Sequence, residues 1–182
     1  MIAIDDLQPE DAPALAPLLL AAFGPAEGPE IVVLTDALMS DPSAEPRHAL
    51  AARDGGQLVG MVILSHARLE GAGAPATASL LAPLAVTPER HAQGIGSRLV
   101  RAGLQRLTDA GVPLVFTFGD PAYYGRFGFE PAMPRGLQAP HPIQDEHRDA
   151  WVVHALAPDA LASAAGKLAC AESIRDPRYW RV

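Results

Sequence analysis

Leu84-Ala85-Val86-Thr87-Pro88-Glu89-Arg90-His91-Ala92-Gln93-Gly94-Ile95-Gly96-Ser97 runs from an apolar strand through a proline turn and a glycine-spaced loop into a helix. Two glycines one residue apart let the backbone approach a ligand with no Cβ in the way. The first amides of a helix have no internal acceptor and point outward together. They sit at the positive end of the helix dipole, so a pyrophosphate placed there meets several donors and a favourable field. A P-loop would need Lys-Ser or Lys-Thr after its second glycine, and Ser97-Arg98 follows Gly96 instead. A dinucleotide fingerprint would need a small residue three positions beyond Gly96, where Leu99 stands. From Gly-x-Gly alone, a structural turn before a helix and an anion cradle remain equal readings.

Downstream, Ile95, Leu99, Ala102 and Leu107 alternate with Arg98, Arg101, Gln105 and Asp109, which predicts an amphipathic helix over 94–110. Gly111 stands where its C-terminal cap belongs, and Pro113 blocks continuation. Residues 78–86 and 114–118 read as buried strands, 121–126 as a short helix and 151–156 as a late strand. Toward the N-terminus, 2–4 reads as a strand. Leu15, Leu18, Leu19 and Ala22 predict a helix over 9–23, kinked or ended early by Pro17. Gly24-Pro25 and Gly28-Pro29 punctuate its exit, and a second helix is expected over 30–39. Strands 49–53 and 58–65 flank Asp54-Gly55-Gly56 as a hairpin, and 71–75 reads as the next turn. Residues 131–149, rich in Pro, His, Gln and Asp, read as a surface excursion within a single domain spanning 1–182.

The composition, 49 % hydrophobic and 19 % charged, is that of a soluble globular chain. A net charge of −7 argues against a nucleic-acid partner. One cysteine, Cys170, allows no intrachain disulfide and is expected to be a small buried hydrophobe. The acidic start, Asp5-Asp6, is unlike a signal peptide, and the apolar stretch 14–23 is short for a membrane span and contains Pro17. A cytoplasmic protein with no membrane partner is the expectation. The six histidines show no metal-ligand spacing, so no metal is expected.

A second motif follows the strand at 114–118: Gly119-Asp120-Pro121-Ala122-Tyr123-Tyr124-Gly125-Arg126-Phe127-Gly128-Phe129. Together with Leu84-Ala85-Val86-x-Pro it resembles the GNAT superfamily of N-acetyltransferases, and within it the YhbS-like subgroup. The resemblance implies an α/β (α+β) fold: a mixed, mostly antiparallel sheet splayed at the centre with helices on both faces. It implies a CoA-binding core at about 78–130, with acetyl-CoA as cosubstrate. The pantetheine arm would pair with Leu84, Ala85 and Val86 like an added strand. The pyrophosphate would sit on His91, Ala92, Gln93, Gly94, Ile95, Gly96 and Ser97. His91 stands where the family usually carries Arg or Gln. Asp120 stands where many members place a pantetheine-contacting asparagine, and an ionised Asp accepts hydrogen bonds but cannot donate them. Tyr123 falls among the cofactor-binding positions. Tyr124 matches the tyrosine that many members use near the thioester sulfur; packing against Phe127 and Phe129 is its competing reading. Pro83 is tolerable in a central strand if, as in the family, a bulge lies there and the sheet opens beyond it.

The implied activity is transfer of an acetyl or acyl group to a primary amine on a small-molecule or peptide acceptor. Glu30, His66 and Glu89 are candidate bases, with none assigned; Glu30 also fits a simple first-turn carboxylate. Tyr179 and Trp180 are expected to pack the tail or a homodimer contact. A CoA-binding sensor without turnover is the second reading, kept open by His91 and Asp120.

Overall fold

The computed structural model describes residues 1–71 and 76–181. The expected hairpin is present: β2 (His48–Asp54) and β3 (Gln57–Glu70) pair antiparallel around a Gly55-Gly56 turn. β1 (Ile2–Asp6) pairs with β2, and β4 (Ala76–Val86) with β3, both antiparallel. β5 (Leu114–Phe118) then lies parallel to β4, reached through α2 (Ile95–Asp109). After α3 (Pro121–Gly125) come β6 (Glu130–Pro131), β7 (Leu137–Gln138), β8 (Trp151–Ala155) and β9 (Gly166–Ala169). Among the described residues these strands form one nine-stranded sheet, mixed and mostly antiparallel, in the order β1-β2-β3-β4-β5-β8-β6. β9 joins the far end of β3 and is itself paired with β7. The expected turn at 71–75 lies largely outside the described residues.

Strand alternation divides the core in two. Leu114 and Phe116 of β5 face the side covered by α1 (Ala12–Ser40), with Leu19, Leu34, Leu38 and Trp151. Val115 faces the other side with Leu99, Leu104 and Leu107 of α2 and with Tyr124 and Phe129. Helices therefore cover both faces, and any passage through the sheet connects two different environments.

The separate helices expected over 9–23 and 30–39 are instead one helical run broken at a single residue. A short 3₁₀ turn, Pro9–Asp11, leads into α1, and Gly24 alone leaves helical geometry, at φ 76° and ψ 180°. Gly24 takes this positive φ without a Cβ penalty, and Pro25 restarts the helix at a first-turn position where its missing N–H costs nothing. Pro17 and Pro29 lie inside the run and do not end it. The run as a whole is long and apolar enough to cross a membrane. Its two segments, 12–23 and 25–40, are each shorter than a bilayer requires, and both press leucines against the sheet.

Residues 131–149 are not wholly a surface excursion. Ala132, Leu137 and Ala139 are buried, and Leu137 accepts a hydrogen bond from the Trp151 indole at 3.2 Å. The tail packs as expected: Trp180 is 5 % exposed, stacks on Phe118 at 6.3 Å and donates to Ile174 O at 2.8 Å. Cys170 is buried, and burial pushes its thiol up to about 11, so it stays an unreactive thiol at neutral pH.

Asp41, just after α1, ties this tail down. One carboxylate oxygen accepts from the Ser43 amide and hydroxyl at 2.8 and 2.6 Å, the other from the Ser173 amide and hydroxyl at 2.9 and 2.6 Å. Burial raises the carboxyl's pKa, but the donors from Ser173 and Ser43 outweigh it and hold it at about 2. A depressed folded-state pKa stabilises above the unfolded value and is lost as pH falls through the folded value. Asp41→Asn should therefore lower stability by roughly 2 kcal/mol at neutral pH. Urea unfolding should show that gap constant above about pH 5 and closing between about pH 4 and pH 2.

Candidate active site

The β4–β5 ladder stops early. Its registered pairs are Ala78↔Leu114, Ser79↔Val115 and Leu80↔Phe116, and beyond them the strands part. On its other edge β4 carries a bulge: Val62 faces Leu84 but Leu64 faces Leu81, so the extra residue falls at Ala82-Pro83. Pro83 thus sits where no ladder donor is required, as the resemblance implied.

The backbone beyond the bulge is oriented by alternation. The Thr87 amide donates to Val59 O at 2.9 Å. Ala85, two residues back and facing Met61, therefore directs its amide and carbonyl toward β3. Leu84 and Val86 direct theirs into the opening beside β5. Of the three strand residues expected to meet a pantetheine arm, Leu84 and Val86 turn main-chain groups into the opening, and Ala85 turns its own toward β3.

At the far end of this edge, α2 begins after Gly94, which adopts a left-handed conformation, and no side chain caps the helix. Its first internal bond is Arg98 N–H to Gly94 O at 3.0 Å. Among the described residues, the amides of Ala92, Gln93, Gly94, Ile95, Gly96 and Ser97 find no acceptor. These unpaired donors converge at the helix N-terminus, as an anion cradle requires. His91 does not reach into the cradle: its Nε2 lies 2.9 Å from Val86 O. A carbonyl only accepts, so Nε2–H is the donor, and His91 ties the loop to the end of β4.

Tyr123 meets the same helix end. A Cβ on Gly96 would lie 2.7 Å from the Tyr123 hydroxyl, so the tyrosine occupies the space a side chain would take. Asp120 serves as an N-cap, its carboxylate accepting from the Ala122 amide at 2.9 Å, which commits one oxygen to α3.

Tyr124 lines a cavity of about 700 Å³ lying between the parted strands, together with Leu80–Leu84 of β4, Thr117 and Phe118 at the end of β5, and Gly119 and Asp120 just after it. Its ring is also part of the core, edge-on to Tyr123 at 5.0 Å and Phe129 at 5.5 Å, while Phe127 packs on Tyr123 instead. Burial pushes the phenol up to about 12, against the opposing effect of the neighbouring Thr117 hydroxyl. Thr117 is fully buried and donates to Leu81 O at 2.8 Å, bridging β4 and β5 just past their last ladder pair. No sequence signal singles Thr117 out except a lone hydroxyl in an otherwise apolar strand.

Of the candidate bases, only Glu30 lines this cavity, joined there by Glu27. His66 falls just past the strand expected over 58–65, but the strand continues through it. It lies within β3 and lines a separate hollow with Arg68, Glu70 and Cys170. Glu89 is exposed and bonded to the Thr87 hydroxyl. Tyr179 and Trp180, expected to pack the tail or a homodimer contact, also form part of the cavity wall. Among the described residues, no group of three or more His, Cys, Asp or Glu side chains is placed to hold a metal ion.

A strand pair that parts beside an uncapped helix N-terminus, with a tyrosine between, defines the acyltransferase class in which the chain falls. The model of the acetyltransferase (GNAT) domain matches residues 3–132, and the chain belongs to that family. It is 36 % identical over 163 residues to the uncharacterized N-acetyltransferase YjhQ of Escherichia coli (strain K12), covering 89 % of this chain and 88 % of that one. The crystal structure of the GNAT family N-acetyltransferase YhbS from Escherichia coli in complex with CoA superimposes with a TM-score of 0.81. The identity there is 33 %, over 96 % of this chain and 92 % of that one. A GNAT family acetyltransferase from Brucella melitensis in complex with acetyl-CoA gives a TM-score of 0.73 at 26 % identity, over 96 % and 98 % of the two chains.

The Gly96–Tyr123 contact makes a measurable coupling. Gly96→Ala gains up to about 1 kcal/mol of helix propensity and meets a clash of about 1–3 kcal/mol. In a Tyr123→Phe background the hydroxyl is gone and the next tyrosine ring atom is 3.8 Å away. Gly96→Ala should then be stabilising, whereas alone it should be neutral or destabilising. A double-mutant cycle by chemical denaturation should give a coupling of about 1–2 kcal/mol.

Proposed function

We propose that this acetyltransferase moves the acetyl group of acetyl-CoA onto a primary amine. The supporting observation is the pairing of six unpartnered amides at residues 92–97 with Tyr124 in the cavity between the parted strands. A diphosphate meets the amides, and the pantetheine arm lies along Leu84 and Val86, hydrogen bonding to main-chain groups left over by the bulge. The thioester then reaches the opening where Tyr124 stands. His91 orders the loop and does not serve as a phosphate ligand, and Asp120 acts through its cap of α3.

The chemistry follows from this placement. A neutral amine attacks the thioester carbonyl carbon, the nitrogen of the tetrahedral centre gives up its extra proton to solvent, the carbon–sulfur bond breaks, and the sulfur leaves with the bonding pair as the thiolate. A phenol held at about 12 is a far weaker acid than a thiol near 8.5. Full proton transfer from Tyr124 to sulfur is uphill by roughly 5 kcal/mol. The role of Tyr124 is to donate a hydrogen bond to the developing thiolate in a water-poor setting, where such a donor is most effective.

Tyr124→Phe should lower kcat on the order of 10²-fold. The dissociation constant of acetyl-CoA, measured by calorimetry, should stay within about threefold, because the amide cradle is untouched. The raised phenol pKa means that the proton is lost only as pH climbs toward about 12. The kcat profile should therefore show no alkaline fall from this group below about pH 10. Absence of acetyl-CoA binding at millimolar concentration would refute the proposal. Tight binding without thiol release over a broad amine panel would favour a CoA sensor instead.

A further inference from the structure

The cavity continues through the sheet to the α1 face, and its lining there is specific. Glu27, Glu30, Ile31 and Leu34 recur at helical spacing and form one stripe of α1 along the cavity, and Phe23 lines it from the other side of the Gly24 break. On that stripe two acidic positions, Glu27 and Glu30, are followed by two apolar ones, Ile31 and Leu34. Among the described residues, neither Glu27 nor Glu30 has a salt-bridge or hydrogen-bond partner. The opposite wall is the tail, which brings Tyr179 and the buried Trp180 against the same space. The tail also supplies Arg178 and Arg181. The Arg178 guanidinium is held by Asp176 at 2.8 Å, so its charge is largely met before any ligand arrives.

We infer that the acceptor is a primary amine on an apolar body of aromatic size, its ammonium drawn in by Glu27 and Glu30 and its body seated between α1 and the tail. The inference rests on the acetyl-transfer reading and narrows its acceptor. An apolar wall stabilises a hydrocarbon or ring that leaves water, and exposed carboxylates on the same wall orient its cationic end. A free amino acid would bring its carboxylate beside the same two acids, a repulsion that the exposed Arg181 of the tail offsets only in part. A polyamine would satisfy the acids and leave the aromatic wall without an apolar partner. The amine crosses from the α1 face to the thioester through the gap between β4 and β5. The donated proton leaves to solvent at the cavity mouth, where Glu27 and Glu30 are exposed.

The test uses the full chain with saturating acetyl-CoA and follows thiol release with 2-phenylethylamine, ethylamine, phenylalanine and spermidine. Phenylethylamine should give a kcat/KM at least about tenfold above each of the others. The doubly substituted Glu27→Gln/Glu30→Gln variant should raise the phenylethylamine KM by about three- to tenfold, as two exposed ion pairs would. Its melting temperature and its acetyl-CoA dissociation constant should match the parent chain. Tyr179→Ala should raise the same KM independently, because it removes the body's contact and not the charge. A preference for spermidine, phenylalanine or ethylamine, or a KM indifferent to the double substitution, would overturn the acceptor inference and leave acetyl transfer standing. Failure of acetyl-CoA to bind would instead remove the functional reading beneath it.

Discussion

The parting of β4 from β5 is the constraint on which the rest of the molecule depends. Parallel strands that stayed paired would close the sheet and seal the two cores from each other. Here the ladder ends at Leu80↔Phe116, and the bulge at Ala82-Pro83 turns the following backbone groups outward. Main-chain donors and acceptors exposed inside a protein need partners, and an extended ligand arm supplies them as a sheet would. Thr117 marks the same boundary from the other strand, its hydroxyl replacing one missing ladder bond to Leu81.

The gap also joins two chemically different sides. On the α2 face stand an uncapped helix N-terminus, Gly96 against Tyr123, and the phenol of Tyr124. On the α1 face stand a stripe of helix and the aromatic tail. The first side offers unpaired amides and a buried phenol, and the second offers carboxylates beside apolar and aromatic side chains. The sheet keeps the two sides apart except where β4 and β5 part, and the core packing of Trp151, Phe116 and Trp180 holds that opening's geometry.

Much of the first side was legible in the residues alone. The strand, turn, Gly94-x-Gly96 loop and amphipathic helix were each implied by local patterns, and local patterns dominate where an element's own periodicity decides its structure. Two motifs in the right order then separated the family from other phosphate-binding loops. The local reading was weaker where several punctuating residues competed. Gly24, Pro25, Gly28 and Pro29 suggested a long exit, but only Gly24 leaves the helix, because Pro25 and Pro29 fall near a helix start where few hydrogen bonds are lost. Asp120 and His91 showed their partners only in three dimensions, one as a cap and the other on the Val86 carbonyl.

The sequence by itself determined the elements whose information is local: the hairpin at Gly55-Gly56, the helix after Gly96, and the tyrosine-bearing turn after β5. Tertiary structure alone decided which residues line the α1 side of the cavity. Glu27 and Glu30 face Tyr179 and Trp180 because the tail is pinned back to the end of α1, with Ser173 bonded to Asp41 across 132 positions of chain. Such pairings depend on chain closure and on what else fills the core, and neither leaves a periodic trace in the residues that take part.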